Sequence, residues 1–274
     1  MRPKLPVSAG ALRKLLREIE SSRGGEHVLA VGGASELAPV LRQQFLRGRA
    51  DPGAVLLGGP EGADAYVHVL AGAPADEDVE ALRRARKSRV PAIAVLVGVS
   101  EADGAIPYVL ATDVVPVAGG GDFRLDAIAR AIAARLDEDG APLAARVPLL
   151  REPVCERLVS AFARKNGLVA AAVWIPGADL PVLALNELRL VLRLAQVYGV
   201  DDVRERLPEL AATLGAGFGL RALARELLDL VPGAGWALKG AVAYGGTRAL
   251  GEAACRRFAA AATQPRGAGV PVVP

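Results

Sequence analysis

Between positions 180 and 198 the chain is almost wholly Leu, Val and Ala, and the polar residues Asn186, Arg189, Arg193 and Gln196 recur at spacings of three and four. Residues so spaced share one narrow stripe of an α-helix, so this segment predicts a helix buried around most of its circumference. Such a helix needs neighbours on several sides, which commits the second half of the chain to a bundle. Asp179 as N-cap and Pro181 in the first turn mark its start, and Tyr198-Gly199 marks its stop. Four long helices are expected, over 154–175, 180–198, 203–230 and 236–262, broken at IPGADLP, YGVDD and VPGAG.

How such helices pack follows from composition. Hydrophobic residues make up 52% of the 274 residues but aromatic ones only 4%, and there are 31 glycines. Close packing must therefore come from small side chains. In the fourth helix Ala237, Ala241, Gly245, Ala249 and Ala253 recur every fourth residue, and in the third Ala211, Gly215 and Gly219 do the same. Each ladder predicts a flat face along which another backbone approaches, as in small-xxx-small association in lipid or in a tight soluble bundle. Arg248, Glu252 and Arg256 form a polar stripe opposite. Arg248 and Arg256 are the candidates for meeting an acidic partner or an anionic membrane surface.

The first half has a different rhythm. An amphipathic helix over 8–22 is followed by an apolar strand at 27–31, a Gly32-Gly33 turn, and a helix over 36–47 for which Ser35 is the expected N-cap. Further strands are expected at 54–57, 65–70, 91–97 and 114–117, with helices over 76–87 and 123–136. Alternating strands and helices imply a mostly parallel sheet with right-handed crossovers, here a three-layer α/β domain. Asp137-Glu138-Asp139-Gly140, with Pro142 and Pro148 beyond it, reads as a linker. The expected organisation is thus an α/β domain at 1–148, an all-α domain of about four long helices at 149–262, and a disordered Pro/Gly tail at 263–274.

Charge and cysteine usage narrow the classes of function. The net charge is +3. The basic surplus of about four after position 148 is too mild to imply nucleic acid. Cys155 and Cys255 have no Cys-x-x-Cys or His companion, so neither a metal site nor a disulfide framework is expected. Charges at Arg13, Lys14, Arg17 and Glu18 interrupt any signal-peptide core, and no cleaved leader is expected. The longest charge-free run, 166–178, contains Pro176 and falls short of the ~20 apolar residues of a spanning helix. A cytoplasmic location, with peripheral attachment to the cytoplasmic face of the membrane allowed, is the expectation.

The Gly-rich turn VLAVGGASELAPVL stands where phosphate loops stand, between a strand and a helix. It makes Gly32, Gly33 and Ser35 the candidate nucleotide-binding residues. Yet the pattern G-x-x-x-x-G-K-[ST] fails: from Gly32 it puts Leu37, Ala38 and Pro39 where Gly, Lys and a hydroxyl residue belong. Asp-x-x-Gly and Asn-Lys-x-Asp counterparts are missing too, and a dinucleotide fingerprint would need a third glycine. His27 and His68, on or beside strands without a partner motif, read as structural. No catalytic residue, metal ligand or cofactor is assigned.

The stretches IPGADLPVLALNELRLVLRLAQVYG and GAGFGLRALARELLDLVPGAGWALKGAVAYGGTRALGEAA resemble the helical domain of unknown function found in YcjF-like proteins and beside bacterial GTPase domains. The likeness spans about 154–258. It implies association with small GTPases or with the membrane, and carries no catalytic residues. By analogy the α/β half looks like a Ras-like GTPase domain without its nucleotide motifs. The expected function is that of a non-enzymatic pseudo-GTPase-like domain joined to a helical module. That module would bind a protein partner, a small GTPase among them, or a membrane surface, with homo-oligomers allowed. The rival expectations are an NTPase or switch with an unorthodox phosphate loop, and a soluble small-molecule-binding protein.

Overall fold

A computed structural model describes residues 9–98, 105–118, 123–172, 180–200 and 235–263. The chain divides into two compact units, one of residues 16–158 and one of residues 159–274 with 1–15.

The first unit is built on a five-stranded, all-parallel sheet. Its strands are β1 (Leu29–Gly33), β2 (Val55–Leu57), β3 (Ala65–Leu70), β4 (Ala92–Val97) and β5 (Val114–Val117), in the order β2-β1-β3-β4-β5. The registers pair Leu29 with both Val55 and Ala65, Tyr66 with Ala92, and Ala94 with Val114. All six residues of β3 are buried, which is why this strand is a continuous apolar run interrupted only by His68. Around the sheet stand α2 (Leu37–Phe45), α3 (Asp76–Lys87) and α4 (Leu125–Leu136), while α1 (Ala9–Arg23) is divided between the two units after Leu15.

Side chains alternate across a sheet, so Ala30, Tyr66, Leu70 and Ala94 share one face, where they pack with Leu82 and Ala85 of α3. Leu29, Val31, Val67, Val69, Ile93 and Val95 fill the other face with no exposure. The chain leaves β1 through α2 toward β2, but leaves β3 through α3 in the opposite direction, toward β4. Right-handed crossovers running in opposite directions put α2 and α3 on opposite faces and open a crevice beyond the carboxyl ends of β1 and β3.

The expected linker is instead part of this unit. Residues Asp137–Asp139 form a 3-10 turn leading into α5 (Gly140–Arg146), in which Gly140, Ala141, Pro142, Leu143 and Ala144 are all buried. Pro142 is the third residue of the helix, where its missing N–H costs nothing. Residues Leu150, Val154, Cys155 and Leu158 extend the same buried core past the expected boundary at 148.

The second unit contains most of α6 (Arg151–Ala172), with α7 (Leu180–Val197) and α8 (Gly235–Thr263). The expected third helix at 203–230 and the tail beyond Thr263 lie outside the described residues, as does Asp179. As its composition implies, α7 is buried nearly all round, but most of its polar stripe is buried as well. Asn186, Arg193 and Gln196 of the stripe, and Glu187 beside it, are each under 9% exposed, while Arg189 is half-buried. Asn186 Nδ2 donates to Asn166 Oδ1 at 2.8 Å, Asn166 Nδ2 to Thr247 Oγ1 at 3.0 Å, and Thr247 Oγ1 to Glu187 Oε1 at 3.1 Å. This chain of bonds ties α6, α7 and α8 in one register.

It also sets which face of α8 turns inward, and the outcome differs from expectation. Ala237, Ala241, Gly245, Ala249 and Ala253 are exposed, and among the described residues a Cβ on Gly245 would meet nothing within 4 Å. The packed stripe is Gly240, Ala243, Thr247, Gly251 and Phe258. A Cβ on Gly240 would lie 3.0 Å from the Gly167 carbonyl oxygen, and one on Gly251 would lie 2.6 Å from Val159 Cγ2. Spacing alone could not choose between two small-residue stripes, whereas the buried hydroxyl of Thr247 does. Gly215 and Gly219 lie outside the described residues.

Candidate functional site

A cleft of about 900 Å³ occupies the crevice of the α/β unit. It is walled by the β1–α2 turn, by the segment following β2, by the end of β3 and by the first turns of α3.

The turn is unusually close to the sheet. Gly33 has φ +96°, and a Cβ there would fall 2.7 Å from the Val69 amide nitrogen and nearer still to the Val69 carbonyl oxygen, so no side chain fits. The Ala34 amide donates to that Val69 oxygen at 2.8 Å. Three residues, Ala34 to Glu36, then separate the strand from α2. Ser35 is exposed and does not cap the helix: α2 starts after Glu36, which is itself in helical conformation, and no side-chain hydrogen bond closes its N-terminus.

On the floor of the cleft stand two aromatic rings that the strand's two-residue period places side by side, Tyr66 and His68. The Tyr66 hydroxyl lies 2.7 Å from His68 Nδ1, and His68 Nε2 lies 2.7 Å from Asp78 Oδ1. Asp78 is the third residue of α3, and its other oxygen accepts from the Ala75 amide at 2.9 Å, satisfying one free N–H of the helix start. Tyr66 and His68 are 1% and 2% exposed. Burial pushes the Tyr66 phenol up to about 12, with Arg84 opposing and Asp78 and Glu61 adding to the rise. Burial likewise lowers His68, against the raising influence of its bond to Asp78. The ring is thus held neutral.

Charge in the cleft is unfavourable to phosphate. The carboxylates of Glu36, Glu77 and Asp78 line it. The one Lys or Arg among the described residues that line it, Arg84, stands 3.5 Å from Glu61. The structure therefore brings Gly32, Gly33 and Ser35 together at the cleft, but in a turn whose Ala34 amide is engaged by the sheet and whose neighbours are acidic. The Tyr66–His68–Asp78 row is the part of the site that sequence reasoning missed. Its trace was the pair Tyr66-x-His68 inside an otherwise apolar strand, a spacing that puts two polar-tipped rings on one face.

Among the described residues, no three His, Cys, Asp or Glu side chains converge as a metal site. Nor, among them, is any helix long and apolar enough to cross a membrane. In the helical unit Arg248 and Arg256 are exposed. Arg248 Nε pairs with Glu252 Oε1 at 2.8 Å, and its Nη1 lies 3.4 Å from the Tyr244 hydroxyl. No protein-family model matches the chain, and a search of curated proteins finds no match either.

Proposed function

We propose that this chain is a non-hydrolysing binding protein. Its α/β unit is a pseudo-GTPase-like scaffold whose cleft takes a ligand other than a nucleoside triphosphate. Its helical unit is a YcjF-like module that engages a protein partner, a small GTPase among the candidates, or the cytoplasmic face of a membrane. The observation that carries the first part is the β1–α2 turn: it is tied to the sheet by the Ala34–Val69 bond, lacks a lysine, itself carries Glu36, and shares its cleft with Glu77 and Asp78. A triphosphate there would lose charge-assisted bonds of roughly 1.5–3 kcal/mol each and meet like charge.

Calorimetric titration with GTP or ATP in the presence of Mg²⁺ tests this directly, and no heat of binding is expected at micromolar protein. Micromolar affinity that is lost on changing the exposed Ser35→Asp would overturn the reading and restore the unorthodox NTPase.

The second part rests on the exposed pair Arg248 and Arg256. Reversing both, Arg248→Glu with Arg256→Glu, is expected to leave the melting temperature within a few degrees while reducing sedimentation with anionic vesicles or with the partner. The attraction should weaken as ionic strength rises. Wild-type protein that ignores anionic vesicles at low salt removes the membrane from the proposal and leaves the protein partner.

A further inference from the structure

Tyr66 is among the largest fully buried side chains of the molecule, yet its oxygen makes a single hydrogen bond among the described residues, the one to His68. A phenol has one hydrogen to donate and lone pairs that accept. Asp78 decides which capacity is used. Its carboxylate can only accept, so His68 Nε2 carries the ring hydrogen, and the neutral ring then presents a bare Nδ1 that takes the phenol hydrogen. Among the described residues nothing donates to the lone pairs of Tyr66, which lies on the floor of an open cleft. A buried acceptor in that position wants a hydrogen from outside the fold.

A second acceptor stands beside it. A Cβ on Gly32 would collide with the Tyr66 hydroxyl and lie 2.6 Å from the Gly58 carbonyl oxygen, so two oxygens converge on a bare Cα. Glu36 and Glu77, both exposed, line the same cleft, while Arg84 lies 3.5 Å from Glu61. Acceptors and negative charge in one cleft select a molecule with hydrogens to give and positive charge to neutralise.

We propose that the cleft binds a small organic ammonium ion, one nitrogen of which donates to Tyr66 Oη while Glu36 and Glu77 balance its charge. This rests on the reading that the cleft takes no nucleotide. Putrescine, myo-inositol, inorganic phosphate and GTP with Mg²⁺ serve as probes of the full chain, followed through the ring ¹⁵N signals of His68. Putrescine is expected to move the Nδ1 signal saturably, and phosphate and GTP to leave it in place. Tyr66→Phe, which keeps the ring and removes the acceptor, is expected to weaken putrescine binding about tenfold or more by calorimetry.

Unchanged putrescine affinity in Tyr66→Phe overturns the proposal, as does an equal or stronger response to inositol. If Tyr66→Phe does not fold, the rim pair Glu36→Gln with Glu77→Gln decides, and unaltered putrescine affinity again overturns it. Silence to putrescine and GTP alike defeats the ammonium site alone. A saturable response to GTP defeats the non-nucleotide reading with it.

Discussion

The His68 ring is a titratable group held neutral by its surroundings, so its consequences run with pH. Because its folded-state pKa lies below the ordinary 6.5, the unfolded chain takes up the proton first as pH falls. The stability linked to this ring is fully present above 6.5 and is lost as pH drops from there through the folded value. Tyr66 bounds the other side: the unfolded phenol ionises near 10 and the folded one near 12, so stability is lost as pH climbs between them. Urea denaturation between pH 5 and 8 should show the acid loss in wild-type protein and a flatter profile in His68→Gln. Identical profiles would mean that His68 is not held neutral. At Gly33 the issue is space and not charge. Gly33→Ala is expected to cost more than ~2 kcal/mol, since strain at φ +96° adds to collision with the Val69 backbone. At Gly48, with φ +74° and open space around it, the same change should cost only about 1 kcal/mol, and chemical denaturation of both variants makes the comparison.

For single elements, α8 carries the sharpest expectation. Gly245 is exposed, so Gly245→Leu should be neutral or slightly stabilising, because Leu is the better helix former by about 0.5–1 kcal/mol. Gly251→Leu drives its side chain into Val159 and should cost on the order of 1–3 kcal/mol. Thermal melts of the two proteins would separate in that order, and the reverse order would mean that α8 is rotated from the phase described. On α7 the buried stripe is a network and not a wet face. Thr247→Val keeps the shape but withdraws the hydroxyl from both Asn166 and Glu187, at an expected ~1–3 kcal/mol. The burial of α7 was legible from its own composition. The burial of its polar residues was not, because Asn166 and Thr247 lie 20 and 61 positions from Asn186 and no local pattern connects them.

At the scale of the molecule, the alternation of strands and helices was plain in the sequence because the apolar runs are short and bounded by glycine and proline. The runs at 65–70 and 114–117 coincide with β3 and β5. The end of the α/β unit was hidden for a physical reason: Asp137 to Pro142 has the composition of a linker, yet proline is harmless in the first turn of a helix, and apolar Ala141, Leu143 and Ala144 bury that turn. The candidate cleft was half legible. Its glycines stood out as a turn, whereas the Tyr66–His68–Asp78 row joins a strand to a helix ten residues on and emerges only once β3 and α3 are packed. A fragment of residues 16–158 is therefore expected to melt cooperatively by circular dichroism. One of residues 1–148 should melt lower or not at all, having lost Leu150, Val154, Cys155 and Leu158 from its core. Equal melting temperatures would return the boundary to 148.

The shortness of the β1–α2 turn bears on what this chain can evolve into. A loop of the G-x-x-x-x-G-K-[ST] kind wraps a phosphate with several successive amides before its lysine opens the helix. Here three residues span the gap, and the amide of the first already belongs to Val69. Grafting a lysine and a threonine onto positions 35 and 36 would place the right side chains on a backbone too short to encircle anything. A phosphate-wrapping loop of that kind would therefore need an insertion of several residues here, beyond any exchange of side chains.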